Sequence, residues 1–133
     1  MTYSTVEISM KQRVVMALVL AGAGPIGPLA QAEEKFLKLN GAQIQARFPD
    51  MEMTDEVHWG DVYRRNGALI TTEMGHQTVG KWRVQKDQLC LDRGKELGSG
   101  CYEVWVSGKN VQLKNGESSL PLAGVLKKPT GRE

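Results

Sequence analysis

The chain has 133 residues, 17 of them basic and 15 acidic, with a formal net charge of +2 and two cysteines. This length corresponds to one domain, and the interspersed charges form no basic stripe of the kind that binds nucleic acid. No stretch after residue 32 is apolar enough to span a bilayer.

Residues 1–32 have the features of a secretory signal peptide. Lys11 and Arg13 precede the apolar run "VVMALVLAGAG", and an A-x-A cleavage site ends at Ala32. The run has about 11 residues, whereas a membrane-spanning helix needs roughly 20. We therefore expect cleavage after Ala32, no stable membrane insertion afterwards, and a periplasmic or secreted protein. Met10 offers an alternative start, so the first residue stays open.

The exported chain is predicted to begin with a short helix over residues 33–41. In "EEKFLKLNG" the acidic residues come first, Lys38 lies in the last turn and Gly41 occupies a C-cap position. The following "AQIQARF" alternates apolar and polar side chains, which is typical of a half-buried strand over residues 42–48. Pro49 interrupts this strand, and "PDMEMTDE" then predicts a solvated acidic loop.

Turn signals divide the rest of residues 42–127 into short strands. Asn66-Gly67 is a strong hairpin signal because a type I′ turn needs two positive φ angles. Further turn pairs occur at residues 86–87 and 115–116. Each pair separates two segments that read as strands, so neighbours in sequence are expected to be neighbours in space.

Strands at such short spacing predict an all-β antiparallel meander of about seven or eight strands. We expect the meander to curl into a small barrel or half-barrel, with the helix against an open end. A two-sheet sandwich is the alternative. In a domain of this size, side chains are expected to fill the barrel interior rather than leave a roomy cavity. Residues 128–133 are predicted to form a flexible tail.

The two cysteines predict a disulfide. An even cysteine count in a small exported domain indicates an oxidised pair, and the only possible pairing is Cys90 with Cys101. Neither the C-x-x-C spacing of redox proteins nor a zinc-ligand pattern occurs. We expect the two cysteines to face each other on successive strands and to close the neck of a loop over residues 91–100.

Turns, a tryptophan and the cysteines follow one another in a distinctive order. The elements are Asn66-Gly67, G-x-W-x-V at residues 80–84, the turn at residues 86–87, Cys90, and Cys101 followed by Tyr102. In this order the chain resembles a group of small secreted bacterial proteins of unknown function with lipocalin-like β-meanders. The resemblance implies a fold and a compartment, and it implies no catalytic residue.

Motifs of catalysis and metal binding are missing from the sequence. His58 and His76 lack the spacing of a metal site, although Asp55, Glu56 or Glu73 could supply a third ligand. Neither a G-x-S-x-G nucleophile motif nor a phosphate-binding loop occurs. We therefore expect a protein that is not an enzyme and holds no metal or cofactor.

Aromatic side chains in the central strands are the candidate ligand-binding residues: Trp59, Tyr63, Trp82, Tyr102 and Trp105. Tyr102 and Trp105 have opposite parity, so one of them should face outward. Two functions follow. In the first, the protein binds a small apolar or amphipathic ligand between these aromatic groups. In the second, it is an envelope interaction protein or inhibitor that acts through the loop over residues 91–100.

Overall fold

The computed structural model describes residues 34–116 and 120–130. The predicted signal peptide lies outside the described residues, as does the end of the predicted tail. The described chain contains a helix, α1, and nine strands. Their bounds are β1 Leu37–Lys38, α1 Gly41–Arg47, β2 Met51–Thr54, β3 Trp59–Tyr63, β4 Ala68–Glu73, β5 His76–Gln85, β6 Gln88–Asp92, β7 Ser99–Ser107, β8 Asn110–Lys114 and β9 Leu122–Lys127.

Strands β2 to β9 form a closed antiparallel barrel. Each strand pairs with the next along the chain, and β2 also pairs with β9, with Met53 opposite Leu126. This last pairing removes both edges of the eight-stranded sheet. The expected barrel is confirmed, and the sandwich alternative is not observed. Strand β1 also pairs with β7, at the part of β7 that extends beyond its pairing with β6, and Leu37 lies opposite Val106.

Alternate residues of each strand face the barrel interior. The buried core is Leu39, Ile44, Phe48, Met53, Tyr63, Leu69, Trp82, Leu89, Leu91, Val104, Val106, Val111, Leu113 and Leu126. Large side chains fill the end of the barrel next to α1, where Phe48 packs edge-on against Tyr63 at 5.0 Å between ring centroids. The expectation of an interior filled by side chains holds at this end.

The predicted helix over residues 33–41 is wrong, and so is the predicted strand over residues 42–48. The helix is α1, and Asn40 forms its N-cap through a capping box with Gln43. Ile44 and Phe48 fit the alternating pattern, but they are also one helical turn apart. Both are fully buried. Burying this pair over the barrel end stabilises a helix where the short alternation indicated a strand.

The predicted acidic loop after Pro49 is also wrong in part. Met51–Thr54 forms strand β2, and Met53 is fully buried in the barrel. Glu52 faces outward, and its carboxylate lies over Gly60 of the adjacent strand. The acidic residues therefore lie in the turn before β2, on its outer face, where Glu52 is nonetheless buried, and in the turn after it, whereas Met53 faces the barrel interior.

Cys90 and Cys101 form the predicted disulfide. They are direct cross-strand partners on β6 and β7, with 4.0 Å between their Cα atoms. Both lie on the outer face of the barrel, since Leu89 and Leu91 occupy the inner face of β6.

Among the described residues, no helix has the length and apolarity needed to cross a membrane.

Candidate functional site at the open end of the barrel

A cavity of about 200 Å³ lies at the end of the barrel opposite α1. We call this end the mouth; the β2–β3, β4–β5 and β6–β7 connections surround it. The cavity is lined by Trp59, Asp61, Thr71, Glu73, Arg93, Leu97 and Leu122. Apolar side chains therefore share the cavity with three charged residues.

A buried ion pair forms the floor of the cavity. Asp61 on β3 is 1% exposed and makes an ion pair with Arg93, whose side chain is 15% exposed. The hydroxyl of Thr71, which is directly opposite Asp61 on β4, donates a hydrogen bond of 2.8 Å to Asp61 Oδ1. Burial lowers the pKa of Arg93, but the hydrogen bond and charge of Asp61 raise that pKa by more. The guanidinium is therefore firmly protonated.

Tyr63 lies one layer below the floor pair, two residues after Asp61 on β3. Its ring makes edge-to-face contacts with Phe48 and with Trp82, the latter at 5.6 Å between centroids. Burial raises the pKa of Tyr63 well above its usual value, and the charge of Asp61 raises it further. The phenol is therefore neutral, and its buried hydroxyl has no hydrogen-bond partner among the described residues.

Trp59 forms one wall of the cavity. Asp55 fixes the start of this strand, because its Oδ1 atom accepts the backbone N–H groups of Val57, His58 and Trp59 at 2.7 to 3.0 Å. The indole lies over Gly124 on β9, where an added Cβ would be 3.4 Å from Trp59 Cη2. A glycine at this position lets the indole approach the β9 backbone closely.

A wider groove of about 700 Å³ opens beside the cavity, between the β4–β5 hairpin and residues 93–98. We call it the outer groove. It shares Glu73, Arg93 and Leu97 with the cavity. Met74 and Val79 also line it, and their side chains are about 70% exposed. The mouth thus combines a small, partly buried cavity with an exposed apolar surface.

The five predicted aromatic residues do not form one site. Trp59 lines the cavity, whereas Tyr63 and Trp82 pack against each other in the core. Tyr102 faces inward on β7. Of Tyr102 and Trp105, Trp105 is therefore the one that faces outward, and Lys114 Nζ lies 4.2 Å from its ring centroid. The ligand-binding role of these residues stays a prediction.

Sequence reasoning missed most of the polar part of the cavity. Asp61 shares the parity of Trp59 and Tyr63, so a carboxylate on the inner face of β3 was visible in the sequence. Its partner Arg93 lies 32 residues away in the β6–β7 connection. No local pattern could have paired them.

One of the two histidines lies in a connection between strands and the other lies at the start of a strand. His58 Nδ1 lies 2.8 Å from Asp55 Oδ2 in the β2–β3 connection. His76 begins β5 and lines the outer groove. Across residues 34–116 and 120–130, no group of three histidine, cysteine, aspartate or glutamate residues is placed to hold a metal ion.

Comparisons with protein-family models, with curated proteins and with solved structures find no match. Geometry and chemistry at the barrel mouth therefore carry the functional argument. The resemblance to small secreted proteins with lipocalin-like meanders stays a prediction.

Proposed function

We propose that this protein is a non-catalytic, lipocalin-like binding protein of the periplasm or the extracellular medium. Its ligand is small and apolar or amphipathic, and it occupies the cavity at the barrel mouth. The observation that supports this most directly is the cavity itself, in which Trp59, Leu97 and Leu122 surround a polar floor. Binding sites for small molecules commonly combine apolar walls with a few fixed polar groups.

The volume of the cavity limits the ligand. Sites for drug-sized molecules have roughly 300–1,000 Å³, whereas this cavity has about 200 Å³. A compact ligand fits entirely inside. A longer ligand places one end in the cavity and extends along the outer groove, whose apolar side chains Met74 and Val79 continue the wall formed by Leu97.

The hydrogen bonds of the polar floor support a binding role. Asp61 accepts hydrogen bonds from Thr71 and Arg93, so its carboxylate is held in a fixed position at the base of the cavity. The floor is suited to orienting a ligand.

The proposed compartment follows from the disulfide and the predicted signal peptide. Disulfides persist in oxidising compartments and are rare in the cytosol. The bridge between Cys90 and Cys101 lies on the outer face of the barrel, and it holds the β6–β7 connection that carries Arg93 and Leu97 to the mouth.

Tryptophan fluorescence tests ligand binding at the cavity. We expect saturable changes in emission when small apolar and amphipathic compounds are added to the oxidised, signal-free protein. The change should disappear in Trp59→Phe and persist in Trp105→Phe, because Trp105 lies on the outer face. If emission stays constant across a broad panel of compounds, or if Trp59→Phe responds like the wild type, the cavity is not the binding site.

A second candidate function is an envelope interaction protein or inhibitor that acts through the loop over residues 91–100. The exposed apolar side chains of the outer groove favour it, because such side chains frequently mark protein contacts. Leu97→Ser should weaken capture of a specific envelope partner. Val57→Ser is the control, since Val57 is 74% exposed at the same end but does not line the groove. Equal capture by both variants would exclude this surface.

A further inference from the structure

The charges at the cavity floor select among ligands of the proposed kind. We infer that the cavity takes ligands with an uncharged, hydrogen-bond-accepting oxygen, such as an alcohol, ketone or amide, and discriminates against carboxylates and ammonium ions. The inference rests on the proposed function, because it names the ligand class of that same cavity.

The first step is the charge balance of the floor. Asp61 and Arg93 carry one charge of each sign, they form a direct ion pair, and both are largely removed from water. Burying a third charge beside a pair that is already neutral costs desolvation energy that no opposite charge compensates. Glu73 lies at the exposed rim, where water screens both its repulsion of a carboxylate and its attraction of a cation, so it compensates little of that cost.

The second step is the supply of hydrogen-bond donors. A guanidinium has five N–H donors, and the structure shows one of those of Arg93 bound to Asp61. Within the part of the chain that the structure describes, Asp61 is the one side chain hydrogen-bonded to this guanidinium, so donors remain on a side chain that lines the cavity. The oxygens of Asp61 are engaged by Thr71 and Arg93, so the floor offers donors more readily than acceptors.

The cavity volume sets the ligand size. At roughly 30 Å³ for each water-sized group, a volume of about 200 Å³ holds about six or seven non-hydrogen atoms. The six-carbon compounds 1-hexanol, hexanoate and hexylammonium have about seven or eight non-hydrogen atoms, close to this size, and they differ in the head group. These three compounds are the probes.

The inference is tested by titrating the oxidised protein with each probe at neutral pH. The measured quantity is the change in tryptophan emission that is lost in Trp59→Phe. We expect 1-hexanol to bind at least about tenfold more tightly than either ion. This ratio corresponds to a difference in binding free energy of about 1.4 kcal/mol. If hexanoate or hexylammonium binds as tightly as 1-hexanol, the inference is overturned while ligand binding stands. If no probe binds and the broader panel is also silent, the proposed function fails as well.

Asp61→Asn shows whether the floor pair causes the selectivity. The variant keeps the shape of the side chain but leaves Arg93 without a charged partner, so the affinity for hexanoate should rise at least about tenfold relative to 1-hexanol. Asp50→Asn is the matched control, because Asp50 also pairs with an arginine, Arg65, but on the exposed surface away from the mouth. An unchanged ratio of the hexanoate and 1-hexanol affinities in Asp61→Asn would overturn the inference.

Arg93→Gln provides a second test that does not depend on Asp61→Asn folding. It leaves Asp61 as an uncompensated negative charge, so the preference should shift toward hexylammonium. Circular dichroism verifies the fold of each variant before titration. A folded Arg93→Gln protein that retains the wild-type order of affinities also contradicts the inference.

Discussion

Asp55 is the residue that organises the chain just before Trp59. Partial desolvation raises its pKa, but hydrogen bonds from the backbone N–H groups of Trp59, His58 and Val57 outweigh this effect. The His58 side chain adds a further hydrogen bond. Together they lower the pKa of Asp55 below its usual range. The ionised side chain thus acts as a cap for the β2–β3 connection at the cavity wall.

Removal of this carboxylate should reduce the fall in melting temperature that the protein shows as the pH is lowered. Because the folded-state pKa of Asp55 is depressed, its stabilising effect is complete above the unfolded value of about 3.9. The effect disappears as the pH falls through the lower folded value. Asp55→Ala should therefore melt at a lower temperature than wild type at pH 7, and the gap should narrow at strongly acidic pH.

Thermal melts from pH 7 to pH 2 measure this difference. Glu96→Ala is the control, because it removes an exposed acid in the β6–β7 connection at the same end of the barrel. A gap between wild type and Asp55→Ala that stays constant down to pH 2 would contradict the assigned role of Asp55.

Gly80 on β5 lies close to the backbone at the end of β6. A Cβ added there would lie 1.9 Å from the carbonyl oxygen of Asp92, and a backbone atom cannot rotate away. Gly80→Ala should lower the free energy of unfolding by about 3 kcal/mol or more. Gly75→Ala is the comparison, because a Cβ at Gly75 meets no atom within 4 Å. Only its positive φ opposes alanine, at about 1–2 kcal/mol.

Chemical denaturation of both glycine variants at equal protein concentration gives the two values. Similar decreases in the free energy of unfolding for Gly80→Ala and Gly75→Ala would show that β5 and β6 separate easily at Asp92. The close approach would then not be a determinant of stability.

At the scale of elements, the β6–β7 hairpin has a covalent link close to its turn. The strand pairing continues past the disulfide to Asp92 and Ser99, so the connection covers residues 93–98 and is shorter than the expected loop over residues 91–100. Cys90 and Cys101 are 11 positions apart in the sequence, and closing a loop of this size stabilises the fold by about 3 kcal/mol in the chain-entropy model. The double variant Cys90→Ser, Cys101→Ser should lose stability of that order. Urea denaturation of the variant and of wild type with and without reductant measures it.

Reduced wild type should match the double serine variant in this experiment. If reductant leaves the denaturation midpoint of wild type unchanged, the disulfide is not a major source of stability. The conformation of the connection that carries Arg93 would then depend chiefly on the Asp61 ion pair.

Helix α1 shows how far local patterns determine an element. Asn40 and Gln43 form a capping box that the sequence already contained. The seven-residue alternation, however, is short enough to satisfy both a strand period and a helical one. The choice depended on where Ile44 and Phe48 could be buried, and the barrel end next to Tyr63 supplied that site.

At the scale of the whole molecule, the hairpin turns were predictable and the closure of the barrel was not. Asn66-Gly67 correctly marks the β3–β4 connection, but only Gly67 adopts a positive φ there, so the expected type I′ turn is wrong. Lys86 and Asp87 both adopt positive φ between β5 and β6. Strand β2 escaped prediction because its alternating Met and Glu residues resembled a polar loop. Its pairing with β9 joins residues near opposite ends of the domain, which no local signal specifies.

Export should be visible in the mature chain. After expression of the full sequence in a bacterial host, mass spectrometry of the exported protein should give a first residue of Glu33, since signal peptidase cuts after an A-x-A site. Thiol labelling of that protein should find no free cysteine. Full-length protein in the cytosol with both thiols reduced would contradict the predicted compartment.

Alternation of side chains, turn residues and a single pair of cysteines were enough to predict strands β3 to β9, most of their connections and the disulfide. These features act over a few residues, so they are encoded locally. The ion pair between Asp61 and Arg93, the wall formed by Trp59 over Gly124, and the helix at the opposite end were decided by the tertiary structure alone. They depend on contacts between distant segments, which form only when the barrel closes and its core determines which side chains are buried.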